Sequence, residues 1–157
     1  MTTTNAMRML SKAGIQYRVS SYEVDESDLS GVHAAAALGI EPDCMFKTLV
    51  ARGDKKGLSV FCIPVAEELD LKKAAAITGD KKIDMVHVKE LLGLTGYIRG
   101  GCSPIGMKKK YPTYIDETAI LFDEIYVSAG TRGQQVILNA EDLRACTEAE
   151  FADLTKR

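Results

Sequence analysis

A lysine inside an apolar run is the first residue of this sequence that could do chemistry. Lys47 lies within residues 46–50, a segment that otherwise has the pattern of a buried strand. Lysine is seldom fully buried without a partner. Two interpretations follow: either the aliphatic stem carries the ammonium group to the sheet edge, or the ammonium group lines a cleft and binds an anion there.

A glycine-rich segment, residues 100–106 (GGCSPIG), is the second such feature. Gly100 and Gly101 allow a ligand to approach backbone N–H groups, Ser103 adds a hydroxyl, and the proline restricts the turn. The segment matches neither a phosphate-binding P-loop nor a dinucleotide-binding signature. A tight loop without a ligand is the alternative, and Cys102 has no neighbouring histidine or carboxylate in the sequence that would activate it.

The third feature is residues 125–133, where an apolar strand pattern ends in a turn that contains Arg132. The guanidinium group would suit a phosphate, although an exposed arginine in a hairpin turn has the same pattern. His33 and His87 are isolated from one another, and we expect both to be ordinary histidines rather than general bases.

Metal chemistry finds no support in this sequence. The four cysteines stand far apart without a C-x-x-C pair, and two histidines are too few to complete a zinc shell. We therefore expect free thiols, three of them packed as small hydrophobic side chains, and neither a metal nor a cofactor.

Length and composition predict one domain over residues 1–157, because 46% hydrophobic residues are sufficient for a core. The longest apolar run, residues 60–66, is too short to span a membrane. Residues 1–5 lack a basic region followed by an apolar stretch, which predicts a cytoplasmic protein without a secretory signal. The net charge of −2 argues against a DNA partner, although lysine pairs between residues 55 and 110 would permit local phosphate contacts.

Hydrophobic periodicity predicts interleaved helices and strands. The predicted helices cover residues 6–13, 32–38 with Ser30 as the cap, a segment after Asp70, a turn at 89–92, and a last helix from Asn139 through Leu154. The predicted strands cover residues 15–24, 45–51 and 58–65 as a hairpin, 83–88, 113–116, 124–128 and 135–138. This order indicates an α+β fold with a mixed sheet rather than a doubly wound one.

Together, Phe46-Lys47-Thr48, the glycine-rich segment 100–106 with the lysines that follow it, and the segment 125–133 resemble the YbaK/EbsC family over nearly the whole chain. This family is similar to the editing domain of bacterial prolyl-tRNA synthetase, and its best-known members deacylate Cys-tRNA(Pro) and Cys-tRNA(Cys). The resemblance implies an α+β fold with a mixed, barrel-like sheet flanked by helices, and a cleft near Lys47 that receives the aminoacylated 3′ CCA end of tRNA.

The resemblance also implies roles for individual residues. Lys47 corresponds to the family's essential lysine, which binds the terminal phosphate or ribose region, and Gly101 with Ser103 to the loop beside the aminoacyl carbonyl, where backbone N–H groups could polarise it. The implied substrate-binding residues are Tyr22, Ser30, Thr48, Gly100, Ser128, Arg132 and Gln135. Some members carry an aromatic residue in place of Ser30 and an acid in place of Gln135.

For the reaction, the resemblance implies that the substrate's own cysteine thiol attacks its ester carbonyl and forms a cyclic thioester while tRNA departs. Two rivals stay open: a deacylase of Ala- or Ser-tRNA that uses water and the ribose 2′-hydroxyl, and a non-catalytic tRNA-binding regulatory protein. The low overall charge further suggests that tRNA identity is read within a complex with prolyl-tRNA synthetase.

Overall fold

The computed structural model describes residues 3–156, so Met1, Thr2 and Arg157 lie outside the described residues. The helices within this range are Asn5–Lys12 (α1), Gly31–Leu38 (α2), Leu71–Thr78 (α3), Val88–Thr95 (α4) and Ala140–Thr147 (α5). The strands are Arg18–Ser21 (β1), Phe46–Gly53 (β2), Gly57–Pro64 (β3), Ile83–Met85 (β4), Thr113–Asp116 (β5), Ile125–Ser128 (β6), Gln134–Leu138 (β7) and Glu150–Ala152 (β8).

The strands form two sheets. The smaller is antiparallel in the order β1-β7-β6, and the larger has the order β4-β2-β3-β5-β8, with parallel pairs on the β5 side. A parallel bridge between Met45 and Tyr126 brings the start of β2 beside β6. The mixed α+β fold is confirmed, but the strands remain in two sheets rather than closing into one barrel-like sheet.

The β2–β3 hairpin lies in the middle of the larger sheet, and both faces of β3 are covered. Phe61 and Ile63 pack with α3, whereas Cys62 belongs to the main core with Ile115 and Leu143. This two-sided burial explains why the sequence of β3 is continuously apolar instead of alternating. Each fully buried aliphatic side chain contributes about 1.5–3 kcal/mol of burial free energy.

Most of the predicted helices begin at a residue that caps the helix in the structure. Thr4, Ser30, Asp70 and Asn139 each accept a hydrogen bond from a backbone N–H group in the first turn of the helix that follows. Gly39 ends α2 in the left-handed conformation, as predicted. The predicted turn at 89–92 is longer, forming α4, and the predicted strands 15–24 and 83–88 shorten to β1 and β4.

The prediction of a last helix through Leu154 was wrong. α5 ends at Thr147 because Glu148 adopts a left-handed conformation with φ 54°, and the chain then forms β8 along the open edge of β5. The Leu154 N–H donates to the buried carboxylate of Asp116 at 3.0 Å, which fastens this segment to the sheet. The sequence has no glycine at the turn, so this stop carried no recognisable signal.

Candidate active site

A pocket of about 90 Å³ opens where the start of β2 runs beside the end of β6. It brings together most of the residues that the sequence analysis proposed for substrate binding. Those that line it are Tyr22, Ser30, Lys47, Thr48, Gly100, Ser128 and Gln135. Residues separated by more than 100 positions therefore converge on one cavity.

Lys47 is half-buried near the start of β2, where it pairs in register with Ile63 of β3. No carboxylate among residues 3–156 lies within ion-pair distance of its ammonium group. Burial lowers the pKa of Lys47, and the carboxylates of Glu68 and Glu67 oppose this effect more weakly. Lys47 thus lines the pocket and forms no ion pair with the described residues, and its binding of an anion there stays a prediction.

The smaller sheet supplies the polar wall of the pocket. Gln135 of β7 lies between Ser20 of β1 and Ser128 of β6 in the strand register. Opposed residues of an antiparallel pair project from the same face, so these three side chains share one face, whereas Val136 projects toward the core. Gln135 and Ser128 thereby present polar side chains to the pocket from one face of the smaller sheet.

The hydroxyl groups of the pocket already take part in hydrogen bonds with the protein. Ser30 Oγ accepts from the His33 N–H at 3.2 Å as the cap of α2, and Ser128 Oγ accepts from the Gly130 N–H at 3.2 Å. Thr48 Oγ1 lies 3.9 Å from Cys62 Sγ. These contacts fix the shape of the wall while leaving part of each hydroxyl's bonding capacity unused.

The glycine-rich segment meets the pocket through Gly100 and Cys102. The Gly101 N–H donates to the Ile98 carbonyl at 2.9 Å, and Gly101 does not line the cavity. A Cβ atom on Gly101 would lie 2.9 Å from the backbone nitrogen of Arg132, which is closer than Cβ atoms approach other atoms in real structures. The expected polarisation of a substrate by the Gly101 N–H does not fit this geometry, because that N–H already donates to the Ile98 carbonyl and Gly101 does not line the pocket.

Ser103 requires a similar correction. Its side chain is fully buried, it does not line the pocket, and its Oγ accepts from the Ile105 N–H at 3.2 Å. The hydroxyl stabilises the turn of the loop, as serine often does when it bonds a backbone group two residues away. The sequence pattern placed Ser103 in the correct loop, but its hydroxyl faces the interior of that loop.

Arg132 and His33 line a small cavity that adjoins the pocket and shares Tyr22, Ser30 and Gly100 with it. The Arg132 Nε donates to the Arg99 carbonyl at 2.9 Å, and His33 Nδ1 lies 3.8 Å from a carboxylate oxygen of Asp28. His87, by contrast, is exposed ahead of α4 and belongs to neither cavity.

Cys102 lines the pocket but is poorly suited to attack a substrate. Burial raises the pKa of its thiol to about 11, so the thiol is protonated at neutral pH. The pocket also has an apolar lining from Leu29, Met45 and Val65, which the sequence motifs did not predict. The apolar runs gave no signal that these three would meet, because the Met45–Tyr126 bridge that joins the two sheets is not visible in a local pattern.

No group of three or more metal-ligating side chains occurs within residues 3–156. No helix in this same range is long and apolar enough to cross a membrane.

Comparisons with known proteins match this architecture to tRNA editing. The family model of the aminoacyl-tRNA editing domain matches residues 29–146. A protein of Enterococcus faecalis, described as a candidate Cys-tRNA(Pro)/Cys-tRNA(Cys) deacylase named EbsC, is 48% identical over 154 residues, which cover 98% of this chain and 94% of that protein.

Two further proteins connect the chain with proline-specific synthetases. A proline–tRNA ligase of Shouchella clausii is 30% identical over 127 residues, which cover 74% of this chain and 22% of the ligase. A crystal structure described as a candidate trans-editing enzyme for prolyl tRNA synthetase has a TM-score of 0.86 and 28% identity, with 100% of both chains covered. The chain belongs to the aminoacyl-tRNA editing domain family and resembles its EbsC branch.

Proposed function

We propose that this protein is a deacylase that removes cysteine from mischarged Cys-tRNA(Pro), and also from Cys-tRNA(Cys), by using the substrate's own thiol as the nucleophile. The observation that carries the proposal is a small pocket that contains a protonated protein thiol and the half-buried Lys47, which has no ion-pair partner among residues 3–156. Such a site can bind and orient an anionic or polar substrate, but it offers no activated nucleophile of its own.

The proposed step needs no group beyond the substrate. The cysteine sulfur attacks the ester carbonyl, a carbon–sulfur bond closes the cyclic thioester, and the carbon–oxygen bond to the ribose breaks. The thiol proton goes to the departing ribose oxygen, so tRNA leaves with a free hydroxyl. A thiol with a pKa of about 8.5 is partly ionised at neutral pH, whereas the hydroxyl of serine is not.

The pocket would accelerate this step mainly by restricting the substrate. A confined aminoacyl group loses conformers in which the sulfur lies far from the carbonyl, and orientation of reacting groups lowers barriers substantially. In this proposal Lys47 holds the terminal phosphate or ribose region of the 3′ end, and Tyr22, Ser30, Thr48, Gly100, Ser128 and Gln135 form the wall around the ester. Arg132 lies in the adjoining cavity and would contact the incoming strand.

Polarisation of the carbonyl requires a donor other than Gly101. Gly100 and Cys102 both line the pocket, and we assign this role to their backbone N–H groups. Ser103 would act only by keeping the loop in shape. Residues 1–157 would thus function as one deacylase domain without a metal or cofactor.

The test is deacylation of Cys-, Ala-, Ser- and Pro-tRNA(Pro) by the wild-type protein and by Lys47→Ala, with the small product identified by mass. We expect loss of cysteine alone, a cyclic thioester as product, and a loss of on the order of 100-fold or more in Lys47→Ala. Lys72→Ala is the matched control, because Lys72 is an exposed lysine of α3 that lies outside the pocket.

Other results would contradict the proposal in distinct ways. Release of free alanine or serine would assign the protein to the water-using deacylases. Retained tRNA binding without any turnover would make it a binding protein, and full activity of Lys47→Ala would remove the proposed role of Lys47.

A partner is proposed as well. The net charge of −2 provides little general attraction for tRNA, so we propose that a prolyl-tRNA synthetase supplies tRNA identity in a complex. The isolated protein should then deacylate Cys-tRNA(Pro) and Cys-tRNA(Cys) at similar rates, and a preference should emerge when the synthetase is added. Strong discrimination by the isolated protein would contradict this.

A further inference from the structure

Gln135 is a buried amide that lacks a hydrogen-bond partner in the part of the chain that the structure describes. The residue is only 6% exposed, its Oε1 atom is fully buried, and no donor among residues 3–156 contacts that atom. Buried amide oxygens in folded proteins nearly always accept a hydrogen bond. Because Gln135 also lines the pocket, a rotation of its amide group would bring this oxygen to a ligand that carries the missing donor.

The charges around the pocket indicate which kind of donor is needed. Lys47 is the one charged side chain among the described residues that line it, and none of them is a carboxylate. Asp25 and Asp28 line the adjoining cavity and accept hydrogen bonds from Ser27 and Ser30. Glu67 and Glu68 act electrostatically on Lys47 but do not line the pocket. An amino group that enters the pocket therefore finds no anion there.

Gln135 differs from the hydroxyl acceptors of the pocket. Ser30 Oγ and Ser128 Oγ each already accept one backbone hydrogen bond, whereas the buried Oε1 atom of Gln135 accepts none from the described residues. A half-turn about the last side-chain bond exchanges the amide oxygen and nitrogen, so the oxygen can be presented to the pocket without a backbone movement.

Pocket size limits which part of the ligand can reach Gln135. Because its volume of about 90 Å³ is small, we place the aminoacyl group in the pocket and the adenosine outside it.

We propose that the Gln135 amide oxygen accepts a hydrogen bond from the α-amino group of the aminoacyl ester. Through this contact the pocket selects esters whose α-amino group is free. This inference rests on the proposed function, since it requires the aminoacyl end of tRNA to occupy the pocket.

The test is a binding measurement, which does not depend on turnover. Two non-hydrolysable probes are used: 3′-cysteinylamido-3′-deoxyadenosine, and the same compound with 3-mercaptopropanoyl in place of cysteinyl, which lacks only the α-amino group. We expect the wild-type protein to bind the first probe about tenfold or more tightly than the second, because a hydrogen bond between a buried acceptor and a charged donor is lost.

Variants of the adjacent residues Gln134 and Gln135 show whether Gln135 causes the preference for the probe with the α-amino group. Gln135→Met removes the acceptor at similar size and should reduce the tenfold preference to about twofold or less. Gln135→Glu should increase the preference, because a carboxylate attracts the ammonium form. Gln134→Met is the matched control, since Gln134 also has a buried, unpartnered oxygen but lies outside the pocket, and it should keep the wild-type preference.

A tenfold preference that persists in Gln135→Met would overturn the inference, as would equal binding of the two probes, or no binding of either, by the wild-type protein. If Gln135→Met fails to fold, the opposite shift expected of Gln135→Glu still decides the question. Probe preferences as expected, together with no deacylation of Cys-tRNA, would leave this inference intact and refute the proposed function.

Discussion

Ser128 of β6 and Gln135 of β7 are register partners across an antiparallel strand pair, and both line the pocket that contains Lys47. The start of β2 reaches this pair because the Met45–Tyr126 bridge sets β2 parallel to β6. The larger sheet therefore supplies Lys47 and Thr48 to this cavity, and the smaller sheet supplies Ser128 and Gln135.

The first prediction concerns the pH dependence of deacylation. Ionisation of the substrate thiol raises the rate up to a pH of about 8.5. In the proposed mechanism Lys47 holds the 3′ end only while it is charged. Burial lowers its pKa below the usual value of 10.5, so the rate should fall again as pH rises through that pKa. Rates from pH 6 to 10, corrected for spontaneous ester hydrolysis, should give a bell-shaped curve.

Lys47→Arg isolates the contribution of Lys47 to that curve. Arginine keeps its charge throughout this pH range, so the descending limb should disappear from whatever activity the variant retains. A descending limb at the same pH in Lys47→Arg would assign it to another group.

The second prediction concerns Cys102. Its thiol pKa of about 11 means that it is protonated at neutral pH, so Cys102→Ala should deacylate Cys-tRNA(Pro) at a rate close to that of the wild-type protein. A covalent mechanism through Cys102 predicts instead a loss on the order of 10⁶-fold, as when a nucleophile is removed from a catalytic triad. Single-turnover rates distinguish the two, and a covalent thioester trapped by acid quenching would contradict our expectation.

The third prediction concerns the fit of Gly101 against the turn at 131–132. The added Cβ atom of Gly101→Ala would meet backbone atoms of Arg132 and Thr131 at 2.9–3.1 Å, and backbone cannot rotate away. We expect a loss of about 1–3 kcal/mol in the free energy of unfolding, and slower deacylation because Gly100 and Cys102 move with the loop.

Gly93→Ala provides the control for Gly101→Ala. Gly93 lies within α4, and a Cβ atom there would have no heavy atom within 4 Å beyond its chain neighbours and the backbone of its own helix. The substitution should raise the free energy of unfolding by about 0.5–1 kcal/mol, because alanine favours the helix. Urea unfolding of both variants checks the pair, and equal effects would show that the loop accommodates a side chain at Gly101.

Sequence patterns located the candidate site better than they described how its residues act. Lys47 stood out because it is a charged residue within an apolar strand pattern, and in the structure it does lie half-buried within β2. The roles of Gly101 and Ser103 depend on where one N–H and one hydroxyl point, which is decided by contacts with residues 98, 105 and 132. β8 likewise forms because it pairs with the open edge of β5, and the local periodicity of a sequence contains no information about such a distant partner.

The last prediction separates structural from chemical roles for the serines near the pocket. The Ser103 hydroxyl is fully buried and accepts from the Ile105 N–H, so Ser103→Ala should cost about 1 kcal/mol of unfolding free energy. Deacylation by the folded protein should stay near the wild-type rate, because the hydroxyl does not reach the pocket. Ser128→Ala is the companion variant, because Ser128 lines the pocket. We expect this substitution to lower the rate of deacylation more than it lowers the free energy of unfolding.

Parallel measurements of urea midpoints and of kcat/KM for Cys-tRNA(Pro) decide this comparison. A Ser103→Ala protein of nearly wild-type stability that loses most of its activity would restore a chemical role to this hydroxyl. Such a result would also require the loop to turn Ser103 outward when tRNA binds, because the Oγ of Ser103 cannot both contact the Ile105 N–H inside the loop and reach the ester.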